Sequence, residues 1–443
     1  MAGILELSAT VVDEQRTDLP VHRVTQELSE LRDDLALVES FGHLVALRTD
    51  DGLAVLDTSS RWSAPAVLEA LRRWDRGPVR TVVYTHGHLD HVGGSGLVLA
   101  EAEAAGHPRP TVVAHRQVPT RLARYRTMPG WTAEVNRRQF GWLAERSRIG
   151  ERPQGPEAML ALLDGVALPD RTYEDHLDLE VGGTPLALHH GRGETDDHTW
   201  VWLPEQRAVC CGDFVIWHFP NAGNPQKVQR YPDEWAAALR AMDALAPELL
   251  VPAHGLPVAG RERIHRVLDD IASALETLVD QTRSLMEAGR RLDEVVREVR
   301  LPEGTLAKPY LRPLYDEPEF VVRNLWRLYG GWWDGNPAHL HPPEEAALAA
   351  TVARLAGGPG VLAAEARRLA GEGELRLAGE LAEWAVLANP EDPLVLATRA
   401  EVAEARFAAA TSLMAKGIYH DTAAEARRRL EQGQADRVGG GST

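Results

Sequence analysis

The chain has 443 residues, 44% hydrophobic and 26% charged, which suits two or three folded domains and excludes a disordered polyelectrolyte. Its 48 basic and 65 acidic side chains give a formal net charge of −17, which argues against nucleic acid or an anionic membrane as a partner. We see no secretion signal and no window with the roughly 18 uncharged apolar residues of a spanning helix. The only two cysteines, Cys210 and Cys211, are adjacent, so we expect a cytoplasmic protein.

Strands and helices are predicted to alternate over the first part of the chain. Residues 42–58 predict a β-hairpin with an Asp-Asp-Gly turn. Hydrophobic periodicity then predicts, in chain order, a helix at 64–74, a strand at 79–84, a helix ending near 105, strands at 111–114, 186–189, 199–203 and 208–211, a helix at 233–245 and a strand at 249–252. This alternation predicts a layered α/β unit.

The C-terminal part has a different composition, with long helical patterns rich in Ala, Leu, Glu and Arg. Within it, residues 378–415 predict a helical hairpin that turns at 388–393 and resembles a tetratricopeptide unit without a fixed repeat. We therefore expect an α/β domain at residues 1–265, an all-α domain at 266–438 and a flexible tail at 439–443.

The strongest functional signal is the run Thr85-His86-Gly87-His88-Leu89-Asp90-His91, between a predicted strand and a predicted helix. A loop at a strand end can direct His86 and His88 to one metal ion, and Asp90 and His91 to a neighbouring ion. A purely structural cluster of this kind would be costly, because each imidazole needs a hydrogen-bond partner. The run therefore predicts a metal site.

His-x-His-x-Asp-His after a strand is the signature of the metallo-β-lactamase fold, and the chain resembles this family of mostly dinuclear metal hydrolases. Asp213, after Cys211-Gly212, matches the family's bridging carboxylate, and His254, after Pro252-Ala253, matches its last ligand. The resemblance implies an αββα sandwich and two Zn²⁺ ions about 3.5–4 Å apart, with a metal-bound hydroxide as the nucleophile. Asp90 and Asp213 would then be the catalytic residues.

One position departs from the general family pattern. Where Gly-His-Thr is usual, this chain has Gly193-Glu194-Thr195. The glutamate, and its 19-residue separation from Asp213, resemble the alkyl sulfatase branch of the fold, in which a glutamate completes the first metal site. His189, His190 and His198 compete for this role, and we expect His198 to support Glu194 from behind. The expected ligands are His86, His88, Asp90, His91, Glu194, Asp213 and His254.

Segments outside the metal motif resemble the same branch. Residues 136–141 resemble its Arg-Gln-Phe-Gly segment, and residues 280–286 and 328–338 resemble its helical dimerisation domain. This resemblance implies a homodimer formed through the C-terminal helical domain. Linear alkyl sulfatases of the branch, however, carry Glu-Asn where this chain has Asp213-Phe214, and they end in a sterol-carrier-like domain for which we see no room here. We therefore expect a substrate smaller or more polar than a long-chain detergent.

Two groups of side chains are candidates for binding a small anionic organic substrate. The first follows Asp213 in a loop with Gly and Pro and contains Asn221, Asn224, Gln226, Lys227 and Arg230. The second is a basic island that includes the predicted substrate contact Arg138; its arginines are Arg121, Arg124, Arg126, Arg137, Arg138, Arg146, Arg148 and Arg152. The alternative for the island is a solvated helix face paired with acidic neighbours. For protonation of the leaving group, His218 and Tyr231 are candidates.

The function expected from this sequence is hydrolysis of a sulfate ester on a dinuclear zinc centre. An alternative is hydrolysis of a lactone, thioester or phosphoester on the same centre. A further alternative is an iron-dependent oxidoreductase of the same fold, although those enzymes carry Glu at the position of His88. The complete ligand set disfavours a catalytically silent dimeric scaffold.

Overall fold

The computed structural model describes residues 3–146 and 155–439. Arg148 and Arg152 of the predicted basic island, the side chain of Arg146, and residues 440–443 of the predicted tail lie outside the described residues. The described parts of Met1–Ala133 and Pro153–Gly331 form one compact unit, and those of Glu134–Arg152 and Trp332–Thr443 form a second. The first unit thus extends beyond residue 265, where we predict the end of the catalytic domain.

Two β-sheets lie at the centre of the first unit. Among the described residues, the first sheet has seven strands in chain order: β1 (Leu28–Glu30), β2 (Leu35–Val38), β3 (Leu44–Thr49), β4 (Gly52–Leu56), β5 (Val79–Val83), β6 (Thr111–His115) and β7 (Arg171–Tyr173). Strands β1 to β4 form an antiparallel meander that includes the predicted hairpin, and β4 to β7 pair in parallel. Because parallel strands end at the same edge, the segments that follow β4 and β5 are neighbours.

The second sheet has six strands among the described residues. In chain order these are β8 (His176–Val181), β9 (Thr184–His190), β10 (Thr199–Leu203), β11 (Ala208–Gly212), β12 (Leu249–Pro252) and β13 (Val258–Ala259), arranged as β13-β12-β11-β10-β9-β8. Only the neighbours β11 and β12 are parallel in this described sheet. Strands β9, β11 and β12 consequently run in the same direction, and their C-terminal ends share one edge.

The helices of the first unit are α1 (Ile4–Asp13), α2 (Ala64–Trp74), α3 (Leu89–Val92), α4 (Ser95–Ala104), α5 (Val118–Thr127), α7 (Pro156–Leu163), α8 (Pro232–Ala244), α9 (Arg261–Glu287), α10 (Leu292–Glu298) and α11 (Pro318–Gly330), and the first residues of α6 (Pro129–Arg146) also belong to it. One apolar core joins the facing sides of the two sheets and extends to α8 and α9, and another lies between the first sheet and α2, α4 and α5. This arrangement confirms the predicted αββα sandwich.

The second unit is all-α among its described residues. It contains most of α6 together with α12 (Glu345–Ala356), α13 (Pro359–Gly371), α14 (Leu375–Ala388), α15 (Pro393–Ala409) and α16 (Leu413–Gly439). Helices α14 and α15 confirm the predicted hairpin, and Asp392 caps α15 by accepting a 2.8 Å hydrogen bond from the Leu394 N–H. No single described helix is long and apolar enough to span a membrane. Helices α12 and α13 meet this criterion of length and composition only as a pair, which is bent by 85°.

Candidate metal centre

The seven predicted ligands converge where the C-terminal ends of four strands meet. Strand β5 leads into the His-x-His-x-Asp-His run, which continues into α3. The three other ligands come from the second sheet: Glu194 follows β9, Asp213 follows β11 directly, and His254 follows β12. The edge shared by these strands therefore gathers side chains that lie far apart in the sequence.

The ligands form three overlapping groups, in each of which one ligand atom per residue lies within 4.8 Å of the others. His91 and Asp213 each belong to two groups. The groups are His86, His91 and Asp213; Asp90, His91 and His254; and His88, Glu194 and Asp213. The cluster thus contains every predicted ligand and has more donor atoms than one ion needs.

Asp213 lies at the middle of the cluster. Its Oδ2 is 3.4 Å from His91 Nε2 and 3.6 Å from His86 Nε2, and its Oδ1 is 3.5 Å from His254 Nε2. Asp90 lies on the His254 side, with Oδ2 3.4 Å from His254 Nε2. A carboxylate with one oxygen facing each set of imidazoles is suited to bridge two cations.

The polar atoms of the cluster fit a metal. His91 Nε2 and Asp213 Oδ1 are buried and make no hydrogen bond to any described residue. Buried polar atoms are normally paired, so these two atoms require a partner of another kind. A donor set of imidazole nitrogens and carboxylate oxygens suits zinc and similar divalent ions.

Burial and charge set the protonation of the ligands. Burial lowers the pKa of His86 and of His88 far below the usual value, which favours the neutral form that binds metals. Burial would also lower the pKa of His91, but Asp213, Asp90 and Asp57 raise it well above its ordinary value. The carboxylates around His91 therefore supply the negative charge that a cation would neutralise.

Asp57, which sequence reasoning missed, positions His91. It follows β4 with a left-handed backbone (φ 56°) and is buried. Its Oδ1 accepts a 2.7 Å hydrogen bond from the Thr85 N–H, and its Oδ2 accepts one of 2.7 Å from the Thr85 hydroxyl. His91 Nδ1 lies 2.8 Å from Oδ2, so a donated Nδ1 proton leaves Nε2 free to face the metal. The sequence signal that could have found Asp57 was its position directly after β4, a strand parallel to β5.

A buried ion pair holds the other end of the histidine run. Asp197 Oδ2 accepts a 2.9 Å hydrogen bond from the Gly87 N–H, and Arg121 Nε donates to Asp197 Oδ1 at 3.0 Å. Arg121 also pairs with Asp196. A Cβ at Gly87 would lie 3.0 Å from Asp197 Oδ2 and 3.1 Å from Arg121 Cδ, so a larger residue here would crowd the ion pair. Arg121, a member of the predicted basic island, is therefore a structural support of the metal loop.

The competing histidines lie outside the ligand groups. His198 Nε2 accepts a 3.0 Å hydrogen bond from the Asp213 N–H. The expectation that His198 supports Glu194 is therefore wrong, because its ring supports Asp213. At the end of β9, the His189 ring stacks on Trp200 at 4.0 Å, and His190 stacks on His115 at 3.7 Å.

The predicted substrate loop, residues 221–230, lies against Glu194. Asn221 Nδ2 donates to Glu194 Oε1 at 2.5 Å, and Arg230 Nη2 lies 3.3 Å from the same oxygen. Arg230 Nε and both side-chain amide atoms of Gln226 are buried without a hydrogen bond to a described residue. Burial, with Arg230 nearby, lowers the pKa of Lys227 to about 8. This loop thus brings positive charge and unused donors to the metal cluster.

Asn224 has a different environment from the one expected of a substrate contact. It is buried, and its Oδ1 accepts a 3.1 Å hydrogen bond from the Gln226 N–H within the loop. Arg138 lies in the second unit, where it pairs with Glu134 at 2.9 Å. Arg137 pairs with Glu134 and with Asp421. The described arginines of α6 thus have acidic neighbours, as the alternative reading of the island expects.

The two candidate proton donors have defined surroundings. The His218 ring lies 4.2 Å from that of His22, and burial lowers the pKa of His218 to about 4. The Tyr231 ring lies 4.3 Å from the Arg192 guanidinium. Another phenol, that of Tyr315, lies near the cluster. Burial raises the pKa of this phenol well above its usual value, and the negative charges of Glu194 and Asp90 raise it further. Tyr315 was not foreseen from the sequence.

Two families match the chain. Residues 38–254 match the metallo-β-lactamase superfamily, and residues 291–429 match the alkyl sulfatase dimerisation family. With the αββα sandwich and the ligand cluster, the first match identifies an enzyme with a metallo-β-lactamase hydrolase domain. More particularly, this chain joins that domain to an alkyl sulfatase dimerisation domain, as the sequence resemblance predicts.

Several proteins of known function are similar to this chain. A linear primary-alkylsulfatase of Pseudomonas sp. is 27% identical over 87% of this chain and 74% of its own length. The alkyl/aryl-sulfatase BDS1 of Saccharomyces cerevisiae is 23% identical over 79% of this chain, and an (R)-specific secondary-alkylsulfatase of Pseudomonas sp. is 25% identical over 87%. The chain spans only 56% and 60% of the lengths of these two relatives.

The fold has a close structural counterpart. The stereoselective inverting sec-alkylsulfatase Pisa1 from Pseudomonas sp. superposes with a TM-score of 0.76 at 23% identity, over 91% of this chain and 66% of that one. This likeness shows that the two chains share a fold. The superposed 91% of this chain includes residues from both matched segments.

Proposed function

We propose that this protein is a binuclear zinc sulfatase that hydrolyses the sulfate ester of a small alkyl or aryl alcohol. The observation that carries the proposal is the contact between a cationic loop and the metal cluster. Arg230 and Asn221 both meet Glu194, which in turn belongs to the group with His88 and Asp213. A site with this arrangement combines metal ligands with fixed positive charge for an anionic group.

The ligand residues would hold two divalent ions, which when bound supply an activated water and charge neutralisation at the ester. The chain's own residues do the rest. Arg230 has a buried Nε that makes no hydrogen bond to a described residue, so it can donate to a sulfate oxygen. Lys227 adds a second cation on the same loop. The names of the relatives support sulfate over other esters.

Assembly and location complete the proposal. The family match over residues 291–429 supports a homodimer formed through the helical domain. Adjacent, buried and free cysteines at 210 and 211 are compatible with the cytoplasm.

A substrate panel tests this function. Purified protein loaded with zinc should release inorganic sulfate from short alkyl or aryl sulfates, and Arg230→Met should raise KM for these esters. Arg323→Met is the matched control, since this arginine pairs with Glu319 on the exposed side of α11. Turnover of a lactone, thioester or phosphoester without any release of sulfate would overturn the proposal.

A further inference from the structure

We propose that Asp316 and Asn324 are positioning residues that clamp the two ends of loop 221–230 and so place its cations against the metal cluster. The inference rests on the proposed function, because it concerns how the same site meets its anionic substrate. Both residues lie outside residues 38–254, which match the metallo-β-lactamase superfamily. They lie within residues 291–429, which match the dimerisation family. Both also lie in the first compact unit, with the loop.

Asp316 holds the beginning of the loop. Its Oδ2 accepts hydrogen bonds from the Gly223 N–H at 2.7 Å and from the Asn224 N–H at 3.0 Å, and its Oδ1 accepts one from the Glu317 N–H at 2.8 Å. The Asp316 side chain is fully buried. One carboxyl group thus fixes two consecutive loop amides and the start of α11. Hydrogen bonds are stronger in a buried setting than in water.

Asn324 holds the end of the loop. From within α11, its Oδ1 accepts a 2.9 Å hydrogen bond from Gln229 Nε2 and a 3.3 Å bond from the Arg230 N–H. Its Nδ2 donates to the Arg230 carbonyl oxygen at 3.0 Å. Asn324 therefore binds the backbone of Arg230 on both sides, which fixes the direction in which that side chain leaves the loop.

The backbone of the loop also touches α11 directly. A Cβ at Gly223 would lie 2.3 Å from the Phe320 carbonyl carbon and 2.3 Å from the Val321 nitrogen. No side chain fits in that space. The helix and the loop thus meet closely at the end of the loop that Asp316 holds, with Asn221 just before this contact and Arg230 at the other end.

This geometry explains why the metallo-β-lactamase domain would depend on residues 316–324, which belong to the segment that matches the dimerisation family. Asn221 and Arg230 contact Glu194, yet the loop that carries them has its anchors in α11 and in the residue before Glu317. Without these anchors, Arg230 would sample other orientations, and a shift of about 1 Å in a binding group can lower activity roughly a hundredfold.

The test combines binding and turnover in the full-length, zinc-loaded protein. Asn324→Leu removes the three side-chain hydrogen bonds to Gln229 and Arg230, and a fourth that Asn324 Oδ1 accepts from Arg327 Nη2 at 3.2 Å. Gly223→Ala separates loop from helix without removing a polar group. We expect both variants to keep two zinc ions, to bind inorganic sulfate at least about tenfold more weakly in calorimetry, and to raise KM more than they lower kcat. Asn324→Asp, which keeps an acceptor for the Gln229 and Arg230 donors, should recover part of the loss.

Arg323→Ala is the control on the same helix, because its side chain pairs with Glu319. Unchanged sulfate affinity and KM in both Asn324→Leu and Gly223→Ala would overturn the clamp, as would loss of zinc in proportion to loss of sulfate binding. A wild-type protein that neither binds sulfate nor releases it would instead overturn the proposed function. Faster amide exchange of residue 230 in Asn324→Leu would support the clamp independently of activity.

Discussion

Replacement of Asp57 by Asn should weaken metal binding while keeping the fold. The amide has the shape of the carboxylate and tolerates the left-handed backbone of this position (φ 56°). If its Oδ1 accepts from the Thr85 N–H, its Nδ2 must donate to His91 Nδ1. The His91 proton then resides on Nε2, the atom that faces the other ligands. In the opposite orientation, the Nδ2 donor of the new amide faces the Thr85 N–H, which is also a donor.

Either orientation has a cost. Partners that orient a metal-binding histidine are typically worth about 10–100-fold in metal affinity, which corresponds to about 1.4–2.7 kcal/mol. The second orientation leaves a buried donor unpaired, at about 1–3 kcal/mol. Competition with a chromophoric chelator measures the zinc dissociation constants. Asp170→Asn is the control, since Asp170 likewise accepts from a strand amide, at 2.9 Å from Val112 N, but belongs to no ligand group. Equal zinc affinities in the two variants would refute the role of Asp57.

Three further predictions follow from buried groups. Arg121→Met should lower the free energy of unfolding in urea by about 3–5 kcal/mol, because the buried Asp197 carboxylate loses its cation; a change below about 1 kcal/mol would contradict this. Burial lowers the pKa of His43 from 6.5 to about 4, so its folded form stays neutral while the unfolded chain gains a proton. Stability should therefore fall by about 3 kcal/mol as pH drops from 6.5 to 4, a loss absent in His43→Gln; parallel pH profiles would disprove it. Glu194→Ala should lose zinc and His198→Ala should retain both ions, whereas the reverse result would assign the ligand to His198.

The residues that meet in the cluster could be predicted because most of the signal is local. Four ligands occur in one short run, and the other three each follow a strand in the expected order. The layered α/β unit was predictable because its inner strands are continuous apolar runs, whereas the αββα sandwich was implied by the resemblance to the metallo-β-lactamase family. Strands β1 and β7 could not be foreseen, because each has three residues and two or more of them are not buried. Strand β8 alternates exposed and half-buried residues over His176–Leu179, which leaves little apolar signal.

The supports of the site were hidden from the sequence because their partners are distant. Arg121 and Asp197 are 76 residues apart, and Asp316 lies 93 residues from Gly223. An aspartate after a strand, such as Asp57, is also an ordinary turn residue. Composition shows that arginines cluster near the start of α6. Whether such an arginine binds substrate or a buried carboxylate, however, depends on which strand ends lie next to each other in the folded protein. Only the three-dimensional structure provides that information.

The central claim is that a two-metal cluster served by loop 221–230 hydrolyses a sulfate ester. Zinc titration into metal-depleted protein, with inorganic sulfate release from a short alkyl sulfate as the readout, tests this claim most directly. Sulfate release should rise with added zinc and reach its maximum at two equivalents per chain. Full sulfate release by chelator-treated protein would contradict the claim. Failure to release sulfate from any ester of the panel, at any zinc concentration, would also contradict it.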